Sequence, residues 1–375
     1  MISRSLRYVF LLLCLASTGV SESLYAAGGD THLDPIRTLT KEQSNKAAAN
    51  YKKYCVMCHG ENREGHVADH APSLRAKSLF ESGVPHAILR PLSYGRQGTA
   101  MGGYLDEIGG PMTLDETWDL TYWLFEQSHT KRVPLTLDPV RGDVARGAEI
   151  YKKDCSSCHG MEGEGVSAPA LGNPSSLAHN SDAFIRYAIQ NGRQGSEMVA
   201  FKKQLSAADI DNVTAYLRSR ASGWTDQKPI LQALPTPDQY VLNPSGEDPT
   251  FTLDKGLYVS AEALYKALQD KKKMIVFDTR VTSVWQVAHI EGSFPLPYYS
   301  DFNKTEALLP QDTMIVAYCS CPRAAAEYVV GKLKEHGYKK TAVLYEGIFG
   351  WMKLGYPVTR RDVVENKEGE KSTAK

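Results

Sequence analysis

Very little in this sequence is in surplus. Lys and Arg total 43, Asp and Glu total 43, and the formal net charge is zero. A chain so balanced lacks the basic excess of a dedicated nucleic-acid binder; what remains open is a local charged patch that docks a partner protein. Cysteine is scarce, at seven in 375 residues. Four of the seven fall in two short strings described below and Cys14 lies near the N-terminus, so only Cys319 and Cys321 are left over. No disulfide framework can be drawn from that. A long apolar run is missing too. Residues 8–16 are a short apolar stretch behind Arg4 and Arg7, well under the roughly 20 residues that a membrane helix needs. With small Ala26 and Ala27 beyond it, the segment reads as a secretory leader over 1–27; left uncleaved it would be an N-terminal anchor, the one case in which a membrane enters. Hydrophobic residues at 42% and charged ones at 23% describe a globular chain long enough for two or three domains.

Against that background two strings stand out: Cys55-Val56-Met57-Cys58-His59-Gly60 and Cys155-Ser156-Ser157-Cys158-His159-Gly160. C-x-x-C-H is the attachment site of a c-type haem. The two thiols add to the vinyl groups of one rigid macrocycle and the adjacent imidazole binds its iron, so the spacing follows from the chemistry. A structural zinc site needs four N/S ligands; each string supplies three, with no fourth Cys or His at finger spacing.

The surroundings repeat as well. Residues 41–54 are Ala-rich, free of Gly and Pro, and predict a helix that delivers Cys55 at its end. Gly147-x-x-x-Tyr151 precedes Cys155 as Ala47-x-x-x-Tyr51 precedes Cys55; Ala168-Pro169-Ala170-Leu171 matches Ala71-Pro72-Ser73-Leu74. Gly-Arg-Gln-Gly stands before both Met101 and Met198, and a closing amphipathic helix is expected over 114–126 and around 213–217. This is a duplicated domain, 42–130 and 141–221. A second iron ligand is needed in each, and Met101 and Met198 are the candidates. Met112 competes with Met101, and His66, His70 or His86 would give the first unit a bis-His iron instead.

On these motifs both units resemble small class I cytochromes c. The resemblance implies His/Met ligation, here His59 with Met101 and His159 with Met198, and implies that the Pro72 and Pro169 carbonyls accept the proximal imidazole N–H. Physical size agrees: about 80 residues bury too little surface for comfort, and a covalently held, largely apolar haem completes such a core.

Residues 222–255 are punctuated by five prolines without any hydrophobic period and read as a semi-rigid linker. Beyond it, over 256–360, strand-like runs alternate with helices: a helix capped by Ser260, a strand at 274–277, another at 314–318 running into Cys319, a helix over 324–336 and a strand at 342–345. That alternation predicts a parallel α/β sheet with its site at strand C-terminal ends. With Asp278-Thr279-Arg280, His289-Ile290-Glu291-Gly292-Ser293 and Tyr345-Glu346-Gly347…Trp351…Gly355-Tyr356-Pro357-Val358, this unit resembles a rhodanese domain. The resemblance implies that Cys319 accepts sulfane sulfur as a persulfide, with backbone N–H groups and a helix N-terminus stabilising it. The loop departs from the family's C-x-x-G-x-R: it reads Cys319-Ser320-Cys321-Pro322-Arg323-Ala324. Gly is missing, Arg comes one place early, and Pro322 removes an N–H. Cys321 is a candidate resolving thiol, Arg323 a candidate anion contact. An inert, buried Cys319 is the alternative. Asp278 and Arg280 are expected as a structural ion pair and His289 as a scaffold hydrogen bonder. Residues 361–375 read as a charged, disordered tail.

The expectation is a multidomain chain: two small all-α cytochrome c units, then an α/β rhodanese-like unit. It would carry two covalent c-type haems, work in the periplasm, exchange electrons with a redox partner protein and act on a small sulfur species, with no role for nucleic acid. The alternative is a pure electron carrier whose rhodanese-like unit only docks partners.

Overall fold

The computed structural model describes residues 36–65, 71–96, 99–136, 138–172, 177, 180–221, 231–306, 308–320 and 323–360. The leader, the tail, His66, His70, Cys321 and Pro322 lie outside the described residues.

The first unit is framed by helices Lys41–Tyr54 and Leu114–Ser128. Both start on a reciprocal cap. The Thr40 hydroxyl accepts from the Gln43 N–H while Gln43 answers the Thr40 backbone, and Thr113 and Glu116 do the same. Between them lie helices Lys77–Ser82 and Pro85–Tyr94. Tyr51, Phe80, Met112, Leu120, Leu124 and Phe125 form the core.

The second unit repeats the frame with Val144–Asp154 and Ala207–Ser219, plus Asp182–Asn191. Asp143 caps the first of these through the Ala145 and Arg146 N–H groups. Gly147 explains how closely the two frame helices cross. A Cβ there would lie 2.0 Å from the Asn212 carbonyl oxygen, which no side chain tolerates.

In the third unit β1 (Tyr258–Val259), β6 (Thr341–Leu344), β5 (Met314–Tyr318), β2 (Met274–Asp278) and β4 (Phe294–Pro295) lie in that order as a five-stranded sheet, every pairing parallel. β3 (Ala288–Ile290) and β7 (Val358–Arg360) make a separate antiparallel pair. β2 is buried along its whole length, as a strand covered on both faces must be. Ile275 and Phe277 meet Val329, Val330 and Leu333 of helix Ala324–Glu335. Met274 and Val276 meet Leu264, Ile348 and Trp351 on the opposite face. The two-residue period of a strand thus divides one apolar run between two cores.

The stretch read as a linker behaves differently in its described part, 231–255. Leu242 exchanges backbone hydrogen bonds with Met274 at 2.8 and 3.3 Å. Tyr240 packs on Phe277 and Phe294, and Phe251 and Leu253 join the second core. These apolar residues follow no period because they grip the sheet one at a time. Among the described residues no helix is long and apolar enough to cross a membrane.

Candidate functional site

Each C-x-x-C-H string sits where a long helix gives way to a one-turn helix, Val56–His59 or Ser156–His159. The backbone then turns at Gly60 (φ 78°) and Gly160 (φ 86°), a conformation glycine adopts without strain. The Tyr51 hydroxyl donates to the Gly60 carbonyl at 2.8 Å, and Tyr151 to Gly160 at 3.0 Å. His59 Nδ1 lies 2.9 Å from the Pro72 carbonyl oxygen, and His159 Nδ1 lies 2.8 Å from that of Pro169. A carbonyl can only accept, so Nδ1 carries the proton and the lone pair is on Nε2 in both rings. That is the tautomer an iron ligand requires.

The methionine loops match in the same way. The Arg96 N–H donates to the Met101 carbonyl at 2.8 Å and the Arg193 N–H to that of Met198 at 2.9 Å. Thr99 Oγ1 closes the first loop on Arg96 O, and Ser196 Oγ the second on Arg193 O. Met101 and Met198 are both half-buried. The rival Met112 is fully buried in the first unit's core, and His86 stacks edge-on against Trp118.

Burial sets the electrostatics. It pushes the Cys55 thiol up to about 12 and that of Cys155 to about 11, keeping both neutral. Burial also lowers the His159 pKa, partly opposed by its bond to Pro169. The chain's own residues fit a c-type haem in each unit: two thiols, an imidazole locked as the right tautomer, and a thioether loop. One further group fits an anionic cofactor. Arg193 is brought down to about 10 by burial. Its partners among the described residues are the Ser78 hydroxyl and the Phe184 ring, with no carboxylate.

Cys319 follows β5, the middle strand of the parallel sheet, and is 1% exposed. It does not stand alone. A cavity of about 30 Å³ is lined by Cys319, Ser320 and Arg280 from the third unit and by Met57, Cys58 and Gly102 from the first. The two units meet firmly around it. Tyr298 of the third unit donates to the Tyr54 carbonyl and sits 3.1 Å from the Tyr104 hydroxyl. Ser283 donates to the Gly103 carbonyl, and Tyr299 meets Tyr54 edge-on at 4.9 Å.

Arg323 is not brought to this cavity. Its guanidinium lies 4.5 Å from the Tyr345 ring centroid, donates to the Tyr345 carbonyl at 3.2 Å and pairs with Glu327 at 3.5 Å. Coming one place early, it opens the following helix as its N-cap. Arg280 lines the cavity instead, while its Nε donates to Asp278 at 2.8 Å. Burial opposes its charge, but the Asp278 carboxylate more than restores it, so its pKa is raised. His289 bonds the Trp285 carbonyl at 2.8 Å and stacks on that ring.

A helix-framed fold presenting Cys-x-x-Cys-His beside a methionine loop defines a cytochrome c, and an α/β unit with a cysteine after its central strand accompanies it. The comparisons agree. Residues 142–217 match the family of cytochrome c oxidase, cbb3-type, subunit III, and residues 260–354 match the rhodanese-like domain. Cytochrome c6 of a Synechococcus species is 36% identical over 83 residues, 21% of this chain and 72% of that protein. The chain belongs to the c-type cytochromes. The cbb3-type cytochrome c oxidase subunit CcoP of Cereibacter sphaeroides is 26% identical over 195 residues, 49% of this chain. The chain spans 63% of that relative's length. A chain from the Kuenenia stuttgartiensis reducing HAO-like protein complex aligns with half of this one at 20% identity and a TM-score of 0.33. The chain thus joins a c-type cytochrome domain to a rhodanese-like domain.

Proposed function

We propose that the chain is an exported dihaem cytochrome that passes electrons to or from a partner protein and couples this to sulfane sulfur held on Cys319. The supporting observation is the contact set that occurs twice: Tyr51–Gly60, His59–Pro72 and Arg96–Met101 in the first unit, and Tyr151–Gly160, His159–Pro169 and Arg193–Met198 in the second. On this reading Cys55, Cys58, Cys155 and Cys158 anchor two haems, and His59, Met101, His159 and Met198 are their axial ligands. Such haems would supply one-electron exchange, and two of them would take the two electrons released when the persulfide on Cys319 joins a thiol: Cys319–S–SH + R–SH → Cys319–S–S–S–R + 2H⁺ + 2e⁻.

The residues of the third unit prepare the sulfur. Cys319 at the end of β5 attacks the outer sulfur of a persulfide donor, R–S–SH. The donor's S–S bond breaks, the Cys319 thiol proton passes to the departing sulfur as R–SH, and Cys319 carries –S–SH. Arg280 supplies positive charge on the same cavity. Cys321 stands ready on this reading as the resolving thiol; Arg323 belongs to the loop's scaffold. The periplasm is the compartment, by way of the leader.

A second reading is favoured by the near-complete burial of Cys319: a pure electron carrier whose rhodanese-like unit serves for docking. Cyanolysis of the purified protein separates the two. Sulfane sulfur released as thiocyanate from wild type and not from Cys319→Ser supports the coupled function, as does haem reduction by polysulfide that is lost in the same variant. No releasable sulfur leaves the docking reading.

A further inference from the structure

The cavity beside Cys319 is bounded on its cytochrome side by both segments that hold the first unit's cofactor. Met57 and Cys58 come from the attachment string, and Ala100 and Gly102 from the methionine loop. Met57 also packs into the third unit's core, the one that contains Cys319. Gly102 makes the approach possible: a Cβ there would stand 2.2 Å from Val281 Cγ1. Among the described residues, none of the second unit lines the cavity. In its described hydrogen bonds with the first unit, Ser78 donates to Gly192 and Gln194 and accepts from Arg193, and Glu81 accepts from Tyr187.

We infer that Cys319 works at the mouth of the first haem site: charge or sulfur placed on Cys319 acts on the site built by His59 and Met101, and not on the one built by His159 and Met198. The inference rests on the first unit being a haem site and is otherwise independent of the sulfur chemistry. The physical reason is the medium. Cys319 is 1% exposed, so a charge on it lies in protein, where screening is far weaker than in water. A negative charge there favours the more positive, oxidised iron and lowers that site's reduction potential.

The test is a redox titration of the purified holoprotein, followed optically. Met198→Ala marks the wave of the second site. Relative to Cys319→Ser, Cys319→Asp is expected to move the other wave down by at least tenfold in its reduction equilibrium, about 59 mV for one electron, leaving the Met198-sensitive wave in place. Ser320→Asp, half-buried on the same cavity, carries the same expectation in the same direction should the buried carboxylate prevent folding. Loading wild type with inorganic polysulfide and stripping it with cyanide should move the same wave down and back. Waves that stay put in the carboxylate variants, or a shift confined to the Met198-sensitive wave, overturn the inference. If the carboxylates move the first wave while polysulfide leaves no sulfur on Cys319, the sulfur reading falls and this inference stands.

Discussion

Asp278 is fully buried and receives hydrogen bonds from Arg280 Nε and the Tyr318 hydroxyl. Asp278→Ala strands the Arg280 charge, and breaking such a pair costs about 3–5 kcal/mol. Urea unfolding followed by fluorescence of Trp285 and Trp351 should show that loss; a change under 1 kcal/mol would put the anchor of this loop elsewhere. At the cofactor end, Met198→Ala should remove a His/Met near-infrared band from one haem and lower its potential, because the soft thioether favours reduced iron. An unchanged spectrum rules Met198 out. The two ends of the chain differ in how much the sequence disclosed. Attachment chemistry confines Cys, Cys and His to five consecutive positions, so the sequence alone nominates those residues as the anchor. The sequence points to Arg323 as the anion contact and to Arg280 as half of an ion pair with Asp278; the pair is there, but Arg280 also lines the cavity of Cys319 and Arg323 does not. Which guanidinium lines the cavity of Cys319 depends on side-chain direction, and the displaced Arg323 found Tyr345, Tyr258 and Glu327 instead.

At the level of elements, the crossing of the frame helices gives a test in which two effects oppose each other. Helix propensity favours Gly147→Ala by about 1 kcal/mol. Contact with the Asn212 carbonyl opposes it, and overpacking of this kind costs about 1–3 kcal/mol. With a Cβ placed 2.0 Å from backbone, the clash wins, and thermal unfolding of Gly147→Ala should fall below wild type. A rise would mean the helices can slide apart. Ala47 takes the equivalent place in the first unit at 1% exposure, so the two crossings cannot be identical. The runs at 274–277, 314–318 and 342–345 made three strands legible and Ser260 marked the start of one helix, but β1, β3, β4 and β7 are two or three residues long, too short to show a period. The grip of 231–255 on the sheet was not legible either, since Tyr240, Leu242, Phe251 and Leu253 show neither a helical nor a strand period.

The first and third units are joined by tyrosines. Tyr104 and Tyr298 are buried between the first and third units, and burial raises both pKa values well above 10. The folded state therefore holds both protons more tightly than the unfolded chain does. The stability they contribute is complete below pH about 10, where unfolded tyrosine begins to ionise, and is lost as pH rises further. Denaturation midpoints across pH 8 to about 12 should fall steeply at the alkaline end, less so in Tyr298→Phe; parallel slopes would remove Tyr298 from the interface. Nothing in the sequence announced this joint, because hydrogen bonds between residues such as Tyr104 and Tyr298 leave no local pattern. The central claim, two haem-bearing units in one chain, meets its most direct test in a pyridine-haemochrome count on protein made in a host that attaches haem c. The account predicts two haems per polypeptide; a count of one would contradict it.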